Sequence, residues 1–158
     1  MKACHWMVAV AGIAFGLPAP ASAAVGSPEV ILYRFPGVLD QGGAEFTGVV
    51  TAFHCTNFSG VTETIRFVTR NGDGNILISN QTVSIPHLAT KTAATRGPFS
   101  YGAHVLLAPL GVIGGTTAIA ATSTNIICTA MIIDATGPVP NGVSLRGIRF
   151  SPVPGSEE

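Results

Sequence analysis

The chain has 158 residues, with eight basic and eight acidic side chains and a charged fraction of 10 %, well below the ~25 % of an ordinary soluble domain. The length is that of one domain. Charge this sparse and this balanced builds no basic field, which excludes nucleic acid as a partner and disfavours anionic lipid.

Residues 1–23 read as a secretory signal peptide. Lys2 and His5 form a weakly basic start, Trp6 to Leu17 is an unbroken apolar run, and Pro18 and Pro20 end it before Ala21-Ser22-Ala23, an A-x-A cleavage pattern. The run is shorter than the ~20 residues needed to span a bilayer. Cys4 precedes it, whereas a lipidated cysteine would follow it. The mature chain, 24–158, is expected to be a single domain without a membrane span, secreted or periplasmic. Losing Lys2 leaves seven basic against eight acidic side chains, a net charge near −1.

The mature sequence lacks helical periodicity. Its apolar runs are β-branched, and glycine, proline and threonine punctuate it too often for long helices. Glu29–Phe35 is a first strand, stopped by Pro36-Gly37. Glu45–Thr56 is a second, with Phe53 and Cys55 on the bulkier, inward face and Val50, Ala52 and His54 on the other. Val61–Thr69 alternates well, with Ile65 and Phe67 opposed to Thr64 and Arg66; Glu63 is the one polar side chain on the apolar face. Asn71-Gly72-Asp73-Gly74-Asn75 is the strongest turn signal and joins this strand to Ile76–Ile85 as a hairpin. Leu88–Thr95 is a weak Thr/Ala-rich strand expected at an edge, and His104–Ala108 a short one. Thr116–Ser123 and Asn125–Asp134 are expected to pair. In Val143–Phe150 the apolar parity reverses, which suggests a bulge near Gly147. Short strands with frequent turns, about eight in all, predict an all-β fold, either a two-sheet antiparallel sandwich or a small barrel.

Cys55 and Cys128 are the cysteines left after export, and in an oxidising compartment they are expected to pair. Two cysteines about 70 residues apart, one in the second strand and one in a late strand, resemble the inter-sheet bridge of immunoglobulin-like sandwiches. That resemblance implies a bridge crossing the core between two sheets. The chain departs from the family pattern in having no mature tryptophan and in carrying Ile126 two residues before Cys128. The stretches FHCTN and ICTAMIID also resemble a set of small exported bacterial proteins of unassigned function.

Candidate chemistry is thin. His54, His87 and His104 stand at no metal-ligand spacing, although strands could bring them together. A blue-copper set would need a His shortly after Cys128, and Cys128-Thr129-Ala130-Met131 lacks it. Asn71-x-Asp73-x-Asn75 resembles the start of a calcium loop, but Ile76 and Thr82 stand where an EF-hand needs Gly and Glu. No G-x-S-x-G elbow occurs, and no carboxylate pair is recognisable among Asp40, Glu45, Glu63, Asp73 and Asp134. Asn57-Phe58-Ser59 and Asn80-Gln81-Thr82 match the N-glycosylation pattern.

Arg96, Phe99 and Tyr101 place an arginine and two aromatics in one loop, a combination that stacks on sugars or proteins. The expectation is therefore a non-catalytic protein with a binding or structural role. It would need no cofactor or metal, and its partner would be a protein, a glycan or a second copy. Low charge and the apolar span Val105–Ile119 favour self-association. The competing expectation is an exported hydrolase or metal-binding protein using His54, His87, His104 and nearby carboxylates.

Overall fold

The computed structural model describes residues 30–98, 100, 102–107 and 111–150. The expected signal segment 1–23, the aromatics Phe99 and Tyr101, part of the Val105–Ile119 span and residues 151–158 lie outside them.

Among the described residues there are ten strands and no helix. They are β1 (Val30–Val38), β2 (Val49–Asn57), β3 (Glu63–Arg70), β4 (Ile76–Ile85), β5 (Thr90–Ala94), β6 (Val105–Leu106), β7 (Gly115–Ala121), β8 (Ile126–Asp134), β9 (Gly142–Leu145) and β10 (Ile148–Arg149). The expectation of about eight is exceeded because the chain breaks into shorter pieces near its end. Two five-stranded sheets result, ordered β10-β1-β7-β3-β4 and β6-β5-β2-β8-β9. Pairing is antiparallel except between β5 and β6, which run parallel.

The two sheets share one core, an arrangement compatible with a β-sandwich. Leu32 and Phe35 from β1, Ile65 and Phe67 from β3, Ile85 from β4 and Ile119 from β7 pack from the first sheet. Phe53 and Cys55 from β2, Ala93 from β5, and Ile126, Cys128 and Ala130 from β8 pack from the second. The Phe53 ring links the two layers, 5.5 Å from the Phe35 ring and 5.9 Å from that of Phe67, within the range of favourable aromatic pairs. Alternation along β2 and β3 thus buries Phe53, Cys55, Ile65 and Phe67 as the sequence pattern requires. On the opposite side of the second sheet Val50, Ile133 and Ala135 form a smaller buried group beside Met131.

The cysteines do pair, but within one sheet. β2 and β8 are hydrogen-bonded neighbours with Cys55 directly opposite Cys128. Their Cα atoms are 4.2 Å apart, the separation of a non-hydrogen-bonded antiparallel pair. The bridge therefore does not cross between sheets, as likeness to immunoglobulin-like domains implied. Both thiols sit on the inward face of one sheet because β2 and β8 share a register.

Three further expectations are corrected. β7 and β8 are consecutive but do not pair: β7 lies between β1 and β3 in the first sheet, while β8 joins β2 in the second. The short connection between them changes layers, and Thr122 N–H donates to the Thr64 carbonyl at 3.1 Å as it leaves. β5 is not an edge strand, since β6 lies outside it. Val143–Phe150 is not one bulged strand. It divides into β9, on β8 of the second sheet, and β10, on β1 of the first. The reversed parity of its apolar residues marks a change of sheet, a recognised way of turning a sandwich corner. Gly147 makes the change feasible, because a Cβ there would lie 2.3 Å from the Phe35 ring.

Candidate functional site

The loop expected to bind starts at Arg96, and the structure gives that residue an internal task. Arg96 is buried, and its Nη2 pairs with the carboxylate of Asp40, which has no solvent exposure at all. Arg96 Nη1 also donates to the Ala44 carbonyl at 3.1 Å. Asp40 accepts in turn from the Gly111 amide at 3.3 Å, while its own N–H donates to the Val112 carbonyl at 2.7 Å. The pair thereby ties the 39–48, 95–98 and 111–114 loops together at one end of the sheets.

Thr51 reinforces this end from the start of β2. Its hydroxyl accepts the Leu39 amide and donates to the Leu39 carbonyl at 2.8 and 2.9 Å, and its amide donates to Thr95 Oγ1 at 3.0 Å. Arg96 Nε has no hydrogen-bond partner among the described residues, but the bonds that are made hold the loop backbones at several points.

On this frame the chain presents Phe46. Its N–H donates to the Gly97 carbonyl at 3.0 Å, so it sits beside the Arg96 loop. The side chain is 49 % exposed and its φ is +60°. An aromatic residue in the left-handed region is uncommon and costs backbone energy of order 1–3 kcal/mol. Sequence reasoning missed Phe46, because nothing local to Ala44-Glu45-Phe46-Thr47 distinguishes it from the strand proposed there. It missed Asp40 as Arg96's partner because the two are 56 residues apart.

The histidines divide. His54 and His104 meet on one residue, Thr92: His54 Nδ1 bonds to the threonine hydroxyl at 2.9 Å, and the Thr92 amide donates to His104 Nδ1 at 3.2 Å. His104 N–H completes the link by donating to the Thr92 carbonyl at 2.8 Å, which fastens the approach to β6. His87 is held elsewhere, accepting the Gly60 amide on Nδ1 at 3.0 Å. Burial holds the His54 imidazole below its ordinary pKa, since desolvation disfavours the charged ring.

A pH dependence follows. The unfolded chain binds the His54 proton more readily than the folded one, so His54's contribution to stability is full above pH ~6.5. It declines as pH falls from there through the lowered folded value. Denaturant titrations at pH 7.5 and pH 5 should show the parent losing more stability than His54→Gln over that interval. Equal losses would show that His54 does not carry the effect.

Two further carboxylates are likewise committed. Glu63 accepts the Thr122 hydroxyl. Asp134 accepts the Thr136 hydroxyl and amide at 2.7 and 2.9 Å, which holds its carboxyl below the usual range. Among the described residues, no three of His, Cys, Asp and Glu gather in a metal-binding set.

At the other end of the sheets Asn57 has no solvent exposure. Its Nδ2 donates to the Val61 and Ile85 carbonyls at 2.6 and 2.8 Å, and its Oδ1 accepts the Ser59 amide at 2.8 Å. In the folded chain this amide braces a turn and is closed to a glycan, which removes one of the two glycosylation matches. Among the described residues no helix is long and apolar enough to cross a membrane. Comparison with protein-family models and with curated proteins finds no match.

Proposed function

We propose that this is an exported β-sandwich protein that acts by binding or as a structural component, without catalysis, through the loop end built on Asp40 and Arg96. The observation that carries the reading is the display of half-exposed Phe46, in a left-handed conformation, on loops pinned by a buried ion pair. Rigid presentation of an exposed aromatic suits recognition of a sugar or protein surface, because little order is lost on contact. The Cys55–Cys128 bridge supports an oxidising compartment, secreted or periplasmic. The facing sheets support a sandwich of broadly immunoglobulin-like architecture, with its bridge placed differently.

The test is a glycan array run beside a panel of chromogenic glycosides and esters, with the mature parent, Phe46→Ala and His54→Ala. The expected result is binding without turnover, weakened at least tenfold by Phe46→Ala at unchanged melting temperature. Turnover abolished by His54→Ala would replace this reading with that of an exported hydrolase.

A further inference from the structure

The four sheet edges are unequal. β10 and β6 have two residues each and β9 has four, whereas β4 has ten. β4 lies at the end of its sheet, paired with β3 on one side and with no strand on the other among the described residues. Ile76, Leu77, Gln81, Thr82 and Ser84 are exposed along it, so nothing described covers that side. An open edge presents a row of unpaired amide and carbonyl groups, and proteins usually blunt it with lysine, proline or a short strand. The sequence ILISNQTVSI contains no charged residue and no proline.

We propose that β4 pairs antiparallel with β4 of a second copy, joining the two first sheets into one continuous ten-stranded sheet across a two-fold axis. The inference stands independently of the role assigned to the Phe46 loops.

A second copy is the occupant that the strand's own residues fit. The regular part of β4 is Gln81–Ile85, in unbroken register with β3. Centred on Val83, self-pairing places Thr82 opposite the partner's Ser84 on the outer face, twice by symmetry. Hydroxyl pairs of this kind favour antiparallel association. Val83 meets the partner's Val83 on the inner face, where Val83 already packs against the core and Ile85 is part of it. An isologous contact brings residues near the two-fold axis close to their own copies, so a charge beside Val83 would meet a like charge. β4 carries none, and that cost is absent. A charged peptide from another protein would find no complementary charge on this strand.

Sedimentation of the full mature chain at micromolar concentration tests the pairing. The parent should be a dimer. Thr82→Lys/Ser84→Lys places lysines directly opposite each other at both hydroxyl pairs, and its dimer dissociation constant should rise at least tenfold. Thr82→Glu/Ser84→Glu should do the same. Mixing the two variants should restore a one-to-one heterodimer, a readout that only folded chains pairing through this edge can give. Val143→Lys, on the edge of the other sheet, should leave the parent dimer unchanged. A monomeric parent, a dimer indifferent to the β4 charges, or a mixture that stays monomeric would each overturn the proposal.

Discussion

Replacing Cys55 and Cys128 together with alanine is expected to lower the unfolding free energy by roughly 2–5 kcal/mol, the range for removing a native bridge from a small secreted domain. The separation of 73 residues corresponds in the chain-entropy model to about 4 kcal/mol of constraint on the unfolded chain. That is a large share of a net stability of about 5–15 kcal/mol. The folded state should change little, because β2 and β8 remain paired along nine consecutive positions from Val49↔Asp134 to Asn57↔Ile126. Both cysteines are nearly or fully buried in the core, so alanine also leaves small cavities, which push the loss toward the upper end. Denaturant unfolding of the two proteins measures the difference. Non-reducing peptide mapping of the parent should find the single Cys55–Cys128 link. Two alkylatable thiols in exported protein, or a double variant as stable as the parent, would show that the bridge does not constrain the chain.

The sequence made the inward faces of β2 and β3 legible because those strands alternate cleanly: Phe53 with Cys55, and Ile65 with Phe67, recur at period two. It made the β3–β4 hairpin legible through Asn71-Gly72-Asp73-Gly74, whose Asn71 Oδ1 accepts the Asp73 and Asn75 amides at 3.1 and 2.8 Å. It could not assign strands to sheets. β7 and β8 look like a hairpin because only a few residues separate them, yet which neighbour a strand takes is set by long-range packing. The same limit hid the position of the disulfide, since adjacency of β2 and β8 depends on the whole topology. The reversed parity in Val143–Phe150 is visible in the sequence, but a bulge and a change of sheet leave the same local pattern. The polar anchors were the least legible. Arg96 stands in a glycine- and proline-rich loop where an exposed cation is the ordinary expectation, and only the fold brings Asp40 to it.

Arg96→Met is expected to destabilise the protein by about 3–5 kcal/mol, the cost of leaving one member of a buried ion pair unpaired. Asp40 has no solvent exposure and Arg96 is 5 % exposed, so water cannot take over the lost charge contact. Asp40→Leu should cost a similar amount, with Arg96 then the stranded charge. The double variant Asp40→Leu/Arg96→Met should be far less destabilised than either single one, because both desolvation costs disappear together. Two of the bonds it forfeits involve the Ala44 carbonyl and the Gly111 amide, and both residues are exposed, so water can satisfy those groups. Denaturant unfolding of the four proteins in a double-mutant cycle gives the coupling directly. Because the pair also ties the Phe46 loop to the 95–98 loop, the stable double variant separates two tasks. Retained stability with weakened ligand binding would show that the ion pair positions Phe46. Simple additivity of the two single losses would show that Asp40 and Arg96 do not act as a pair, and that the loop end is held by Thr51 and the backbone bonds alone.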